Sequence, residues 1–293
     1  MTRFVMDADY LPFHPHPAKP IFVAPPGAVD AHCHVFGPGD KFPYHEDRKY
    51  TPCDAGKEKL FELREHLGLS RNVIVQASCH GPDNRALIDA LNSAGDLARG
   101  VAFVTPDVSE ADLLIMHEAG VRGVRFNFLK RLVDNKPRSD YWQIIEKIKP
   151  FGWHVVVYFE ANELFEIEDL LNDIPMKVVI DHMGRPDVKS PLDHPDYLRI
   201  KSLMDNEKFW IKVSCPERLT RMGPPYDDVV PFAKDLVASF SDRVLWGTDW
   251  PHPNMKSHQP DEGMLLDLIP TIAPTEDLQR KLLVDNPMKL YWS

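Results

Sequence analysis

Short apolar runs alternate with amphipathic stretches from residue 28 to the end of the chain. The first run, Ala28 to Phe36, is bracketed by Pro25-Pro26-Gly27 and by Gly37-Pro38-Gly39, and a β-leaning run between two breakers reads as a buried strand. Comparable runs follow at 72–78, 99–104, 121–128, 153–160, 177–184, 209–215 and 243–252. The stretches between them predict helices at 57–67, 84–98, 109–119, 139–148, 163–173, 195–206 and 227–240. In the first of these Leu60, Leu63 and Leu67 share one stripe, and in the third Ser109 is a natural N-cap. A last helix is expected at 275–284, with Pro287 closing the tail. Strand–helix alternation repeated eight times, with no second compositional block, predicts an α/β fold: a single-domain (β/α)8 TIM barrel over residues 28–293. An open doubly wound sheet shares the alternation, but no glycine-rich turn follows the first strand, which argues against its nucleotide-binding form. Residues 1–27, with prolines at 12, 15, 17, 20, 25 and 26, predict an extended arm lying on the barrel. His14 and His16 alternate with prolines in that arm and carry little weight as ligands.

Composition narrows the partners. The chain has 293 residues and a net charge of −10, which argues against nucleic acid or an anionic membrane as the main partner. Cysteines 33, 53, 79 and 215 form no CxxC pair, a usage that fits reduced thiols better than a disulfide framework. Met1 to Tyr10 holds two aspartates and no signal-peptide core, and no run approaches the roughly 20 apolar residues of a membrane span. A soluble, cytoplasmic protein is expected. The sequence does not set the oligomeric state and is compatible with a monomer.

A barrel gathers active-site groups at the carboxyl ends of its strands. Side chains alternate along a strand, so His32 and His34 share a face and Cys33 takes the other. The remaining strand ends contribute Ser78 and His80, Arg125 and Arg131, Tyr158, His182, Arg218 and Asp249, the last in Gly247-Thr248-Asp249-Trp250-Pro251-His252. The long loop 37–56 adds Tyr50. Each has a structural reading of its own; together they predict one rim. Three histidines and an aspartate can polarise a carbonyl and activate water, with Asp249 the natural general base. Arginines bind carboxylates bidentately, so Arg125, Arg131 and Arg218 predict a substrate with at least two carboxylates. In so acidic a chain, they are expected to serve the ligand.

These segments closely resemble the 2-pyrone-4,6-dicarboxylate lactonases of the amidohydrolase superfamily. The likeness is carried by Ala31-His32-Cys33-His34-Val35-Phe36-Gly37-Pro38, by Val73 to Gly81, by Arg125 to Leu132, by Ile180 to Asp187 and by Trp246 to Asn254. It covers nearly the whole chain from Pro26 to Ser293. The His-x-His and strand-8 Asp motifs mark only the superfamily; the arginine-bearing segments are more specific. The resemblance implies hydrolysis of a dicarboxylated pyrone lactone to 4-oxalomesaconate, in protocatechuate 4,5-cleavage and the breakdown of lignin-derived aromatic acids. It implies Asp249 as base, His32, His34 and His182 as the group polarising the carbonyl, and Tyr50, Ser78, His80, Arg125, Arg131, Tyr158 and Arg218 as binders of the substrate. Many superfamily members carry a bridging lysine on a middle strand; Arg125 and Tyr158 stand there instead, which argues against a binuclear centre. No cofactor is therefore expected, although a mononuclear zinc on His32, His34 and Asp249 is chemically possible. The alternatives are a zinc-dependent hydrolase of a related muconolactone such as 4-sulfomuconolactone, a metal-dependent decarboxylase of the same superfamily, and a binding protein on a barrel scaffold.

Overall fold

A computed structural model describes residues 4–132 and 136–293. The eight strands are β1 Val29–Cys33, β2 Arg71–Val75, β3 Ala98–Ala102, β4 Val121–Asn127, β5 His154–Tyr158, β6 Val178–Ile180, β7 Phe209–Lys212 and β8 Val244–Leu245. They pair in sequence order and in parallel. Hydrogen bonds from the Ala31 N–H to the Trp246 carbonyl (2.9 Å) and from the Asp249 N–H to the His32 carbonyl (2.8 Å) bring the last strand against the first. The architecture is the expected (β/α)8 barrel. Around it stand α1 Lys57–Leu67, α2 Arg85–Ala94, α3 Glu110–Ala119, α4 Arg138–Ile148, α5 Glu168–Asp173, α6 Pro195–Met204, α7 Pro216–Leu219, α8 Val230–Ser239, α9 Glu262–Asp267, α10 Ile269–Ile272, α11 Glu276–Arg280 and α12 Asn286–Tyr291.

Several boundaries differ from the sequence reading. Strand β8 stops at Leu245, well short of residue 252, because the chain then bends toward β1 and Asp249 takes a left-handed backbone (φ 62°). The helix expected at 275–284 continues through a π-turn into α12, so Pro287 stands in the first turn of a helix instead of ending one. The helix expected at 163–173 is a 3₁₀ segment, Ala161–Glu166, followed by α5. Helices α7, α9 and α10 were not anticipated.

Alternation along the strands separates two cores. Val29, Ala31, Val73, Val75, Val101, Val156, Val179, Trp210 and Leu245 fill the barrel, with Leu290 and Tyr291 of α12 packed against them. Cys33, Ile74, Val124, Val155, Val157, Val178, Ile180, Phe209 and Ile211 face the helices. The next inward positions above Val179 and Trp210 are Asp181 and Lys212, so the interior turns from apolar to ionic within one layer. On β1 the register against β2 shifts between Asp30 and Cys33. That bulge inserts one residue, which lets Ala31 join the apolar interior while His32 and His34 still turn inward above it.

The arm ahead of β1 carries neither helix nor strand over residues 4–27. It is tied down by Asp7 to Thr51, by Leu11 to Met255, and by Asp261 and Asp267, which accept N–H groups from Ala18, Ile21 and Phe22. Its rings pack as Phe4 on Tyr44, Tyr10 on Tyr50 and Phe13 on Trp250. Residues 1–3 of the expected arm lie outside the described residues.

Where the last strand meets the first, Gly247 has no room for a side chain: a Cβ there would lie 2.4 Å from the His32 nitrogen and 2.6 Å from its Cβ. Gly247→Ala is expected to destabilise the barrel by about 1–3 kcal/mol, read from a denaturant midpoint. It should also depress activity, because His32 and Asp249 hang from the two backbones it would part. An unchanged midpoint would show that the seam yields freely.

Candidate active site

The expected rim residues do converge. A cavity at the carboxyl end of the barrel is lined by His34, Tyr50, Ser78, Arg125, Arg131, Tyr158, His182, Arg218 and Asp249, with Ala77, Leu132, Pro253 and Asn254. Asp249 is buried at its floor. Its Oδ1 lies 3.1 Å from His34 Nε2, 3.4 Å from His32 Nε2 and 3.9 Å from His182 Nε2. Its Oδ2 accepts from Arg218 at 2.9 Å. Burial alone would raise the Asp249 pKa, but Arg218 and the histidines outweigh it and hold the carboxyl well below the usual range. Asp249 is ionised.

Hydrogen bonds define how each histidine faces it. His34 Nδ1 is 2.8 Å from the Val75 carbonyl, an acceptor only, so the ring donates there and turns the Nε2 lone pair toward Asp249. Two acceptors this close leave a slot for one proton or one cation. His182 contacts the Ser214 hydroxyl through Nδ1 at 2.8 Å, and burial, then His32, hold its pKa well below the usual value, so it is neutral. Cys215 Sγ is 3.6 Å from His182 Nε2; burial, then Asp249, push the thiol up, so it stays protonated.

All three arginines face carboxylates of the chain itself, Arg125 and Arg218 in buried contacts and Arg131 in a half-exposed one, while all three also line the cavity. Arg125 donates from Nε to Asp181 Oδ2 at 2.8 Å and lies over the Tyr158 ring. Arg218 holds Asp249 and the Pro253 carbonyl. The reason is desolvation: a buried carboxylate requires a counter-charge. Arg131 has a half-exposed side chain, 3.6 Å from Glu160. His80 is absent from the cavity lining: its Nε2 accepts the Gly37 N–H at 3.1 Å and its ring packs on Tyr44, so it supports the 37–56 loop.

Sequence reading passed over a second set of residues. Asp181 and Lys212 lie fully buried beneath the histidines, 3.1 Å apart. Burial alone would raise Asp181, but Lys212 and Arg125 hold it well below the usual carboxylate range. Burial lowers Lys212, and Asp181 opposes that. Asp30 clamps the β8 turn, accepting from the Thr248 N–H and hydroxyl and the His32 N–H, and burial pushes its pKa up to about 6. Charges embedded in apolar strand runs were the available signal: Ile211-Lys212-Val213 and Ile180-Asp181-His182.

Groups of three ligating side chains, among them His32, His34 and Asp249, bring their donor atoms within 4.8 Å of one another, so by composition the cluster could hold a metal ion. His34 is oriented as a ligand would be. For His32 the orientation depends on Lys212, whose Nζ stands 2.9 Å from its Nδ1: a ring that accepts there carries its proton on Nε2, the nitrogen a metal would need. Whether His32 can ligate therefore turns on which of its nitrogens carries the proton, and Nδ1 also lies 3.3 Å from Asp181 Oδ1.

A model of the family described as amidohydrolase matches residues 29–292. The chain is 56% identical to a 2-pyrone-4,6-dicarboxylate hydrolase of Comamonas testosteroni, over 100% of this chain and 99% of that one. It is 36% identical to a 4-sulfomuconolactone hydrolase of Hydrogenophaga intermedia, over 94% and 92% of the two chains. Among solved structures it superposes on an Agrobacterium tumefaciens protein with a TM-score of 0.83 at 29% identity, covering 94% of this chain and 98% of that one.

Behind Arg218, His252 bridges Glu217 (Nδ1, 3.1 Å) and Glu262 (Nε2, 3.0 Å). Burial would lower its pKa, but the two carboxylates push it up from 6.5 to about 10. A pKa raised in the folded state gives stability that is fully present below 6.5 and is lost as pH rises through about 10. Denaturant midpoints measured across that window should fall toward high pH in the native chain, and His252→Gln should flatten the slope. Parallel slopes in the two proteins would mean the imidazolium is not stabilising.

Proposed function

The chain belongs to the amidohydrolase family, and from that premise we propose that it is a lactonase opening 2-pyrone-4,6-dicarboxylate to 4-oxalomesaconate. The observation that carries this reading is an ionised Asp249 among three histidines, in a cavity also lined by Arg125, Arg131 and Arg218. The full-length likeness to a hydrolase of that pyrone supports the same substrate, and the more distant sulfomuconolactone hydrolase keeps a lactone as the reacting group.

The reaction follows from the geometry. Water attacks the lactone carbonyl carbon while Asp249 takes its proton, which lodges between Oδ1 and the His34 Nε2 lone pair. An N–H of His182, which lines the cavity, stabilises the charge that grows on the carbonyl oxygen. The tetrahedral intermediate collapses by breaking the ring C–O bond. The departing enol oxygen receives the proton that Asp249 holds, and the base is restored. Ring closure is the same path reversed and requires the protonated acid. Arg131 and the outward edges of Arg125 and Arg218 bind the ring carboxylates, with Tyr50, Ser78 and Tyr158 completing the walls. In this reading the chain's own groups suffice, so hydrolysis survives exhaustive chelation. A protein that loses pyrone hydrolysis with chelator and regains it with zinc would instead favour the zinc-dependent muconolactone reading.

Asp249→Asn keeps the shape and removes the base. It should bind the pyrone while hydrolysis, followed by loss of pyrone absorbance, falls by about 10²–10⁴. Because the folded-state pKa of Asp249 lies well below 3.8, the native rate should be lost through this group only as pH falls through that lowered value. Turnover of the Asn variant within a few-fold of native would pass the role to a histidine, His182 first.

Arg131→Met should weaken dicarboxylate binding, and Arg218→Met should also disturb the base it holds. Each loss can reach about 2–5 kcal/mol where the pair is desolvated. Native kinetics in both variants would rule out a dianionic substrate.

A further inference from the structure

Lys212 ends β7 one inward position above Trp210 and has no exposure to solvent. Its Nζ lies 2.9 Å from His32 Nδ1 and 3.1 Å from Asp181 Oδ1. Asp181 is also tied to Arg125, so the ammonium sits in a layer where each charge has a partner of opposite sign. His32 Nδ1 faces two groups, Lys212 Nζ at 2.9 Å and Asp181 Oδ1 at 3.3 Å. An ammonium carries three N–H bonds and no lone pair, so the shorter of the two contacts is one in which Nδ1 accepts. The ring's proton is then on Nε2, which is buried, makes no hydrogen bond among the described residues, and lies 3.4 Å from Asp249 Oδ1.

His34, two residues on, is fixed the opposite way, since its Nδ1 gives its proton to the Val75 carbonyl. The His-x-His pair therefore presents one donor and one acceptor to the same carboxylate oxygen. A metal ion would need a lone pair from each. We propose that Lys212 is a positioning residue: it locks His32 with its proton on Nε2, which makes the ring a hydrogen-bond donor into the reaction centre and withholds that nitrogen from a metal ion.

Charge points the same way. Lys212, Arg125 and Arg218 already face Asp181 and Asp249 in this layer, a balance that suits an entering anion better than a divalent cation. The catalytic half of this inference rests on the lactonase reading; the tautomer half does not.

The test begins on the native protein with ¹⁵N-labelled histidine. Long-range nitrogen–proton correlations should show His32 protonated at Nε2 and His34 at Nδ1. A proton on His32 Nδ1 would overturn the proposal, and this measurement needs no variant to fold. In Lys212→Met the His32 proton should move to Nδ1, toward Asp181. Zinc added to that variant should bind about 10–100-fold more tightly than to the native chain by calorimetry, and kcat on the pyrone should fall by a similar factor with KM little changed. A folded variant with the native tautomer and native zinc affinity would overturn the proposal, because a merely structural lysine would move neither. If the native protein shows the Nε2 proton yet does not hydrolyse the pyrone, the tautomer assignment is supported and the lactonase reading falls by itself.

Discussion

Everything at the rim rests on the pairing of Lys212 with Asp181 inside the barrel. Taking either charge from water costs several kcal/mol, and stripping one partner from such a pair costs about 3–5 kcal/mol. The pair is tolerable because Arg125 adds a second cation to Asp181 and His32 accepts from Lys212. Strands β1, β4 and β7 and the residue after β6 supply these groups. Their carboxyl ends are thereby fixed to one another by charge directly above the valines and Trp210 that fix them by packing. The apolar layer excludes water from below, which strengthens each ionic contact above it.

On that layer the chain holds strained turns. Asp249, His182 and Cys215 all adopt left-handed backbone, at φ 62°, 52° and 59°. Such conformations cost about 1–3 kcal/mol each in residues other than glycine and persist only where the surroundings over-determine them. Here the constraints are visible. Asp30 grips Thr248 through backbone and hydroxyl, the Asp249 N–H bonds to the His32 carbonyl, and the His252 N–H bonds to the Asp249 carbonyl. The Asp249 carboxylate is consequently fixed before any ligand arrives, which, on the proposed function, is the condition for electrostatic catalysis without reorganisation.

Much of this was legible in the sequence, because strand–helix alternation and polar strand ends are local signals. The barrel, the His-x-His pair and Asp249 followed from them. What escaped depended on which way an inward residue points and on what it meets across the barrel. Lys212 and Asp181 sit in apolar runs, and only the eight-strand closure shows that they are neighbours. The β1 bulge is also invisible locally: strict alternation would have put His32 on the opposite face from Ala31, yet both turn inward. His80 shared the strand-end position of its neighbours but spends its lone pair on Gly37, a contact made by a loop whose path no pattern fixes. Arg125 and Arg218 were rightly placed at the rim, but counting arginines could not show that buried aspartates already held them.

That last point bears on how recognition and reactivity are joined. Arg218 donates to Asp249 Oδ2 while lining the cavity a ligand would enter, so one guanidinium faces two anions. Its charge is a main reason that Asp249 is a weak base in the free protein. On the proposed function, a ligand carboxylate competing for that guanidinium would draw positive charge away from Asp249 and raise its proton affinity. A neutral ligand leaves the pair intact and the base weak. In that reading a single buried arginine couples charge recognition to the protonation of Asp249, because it both contacts that carboxylate and lines the cavity.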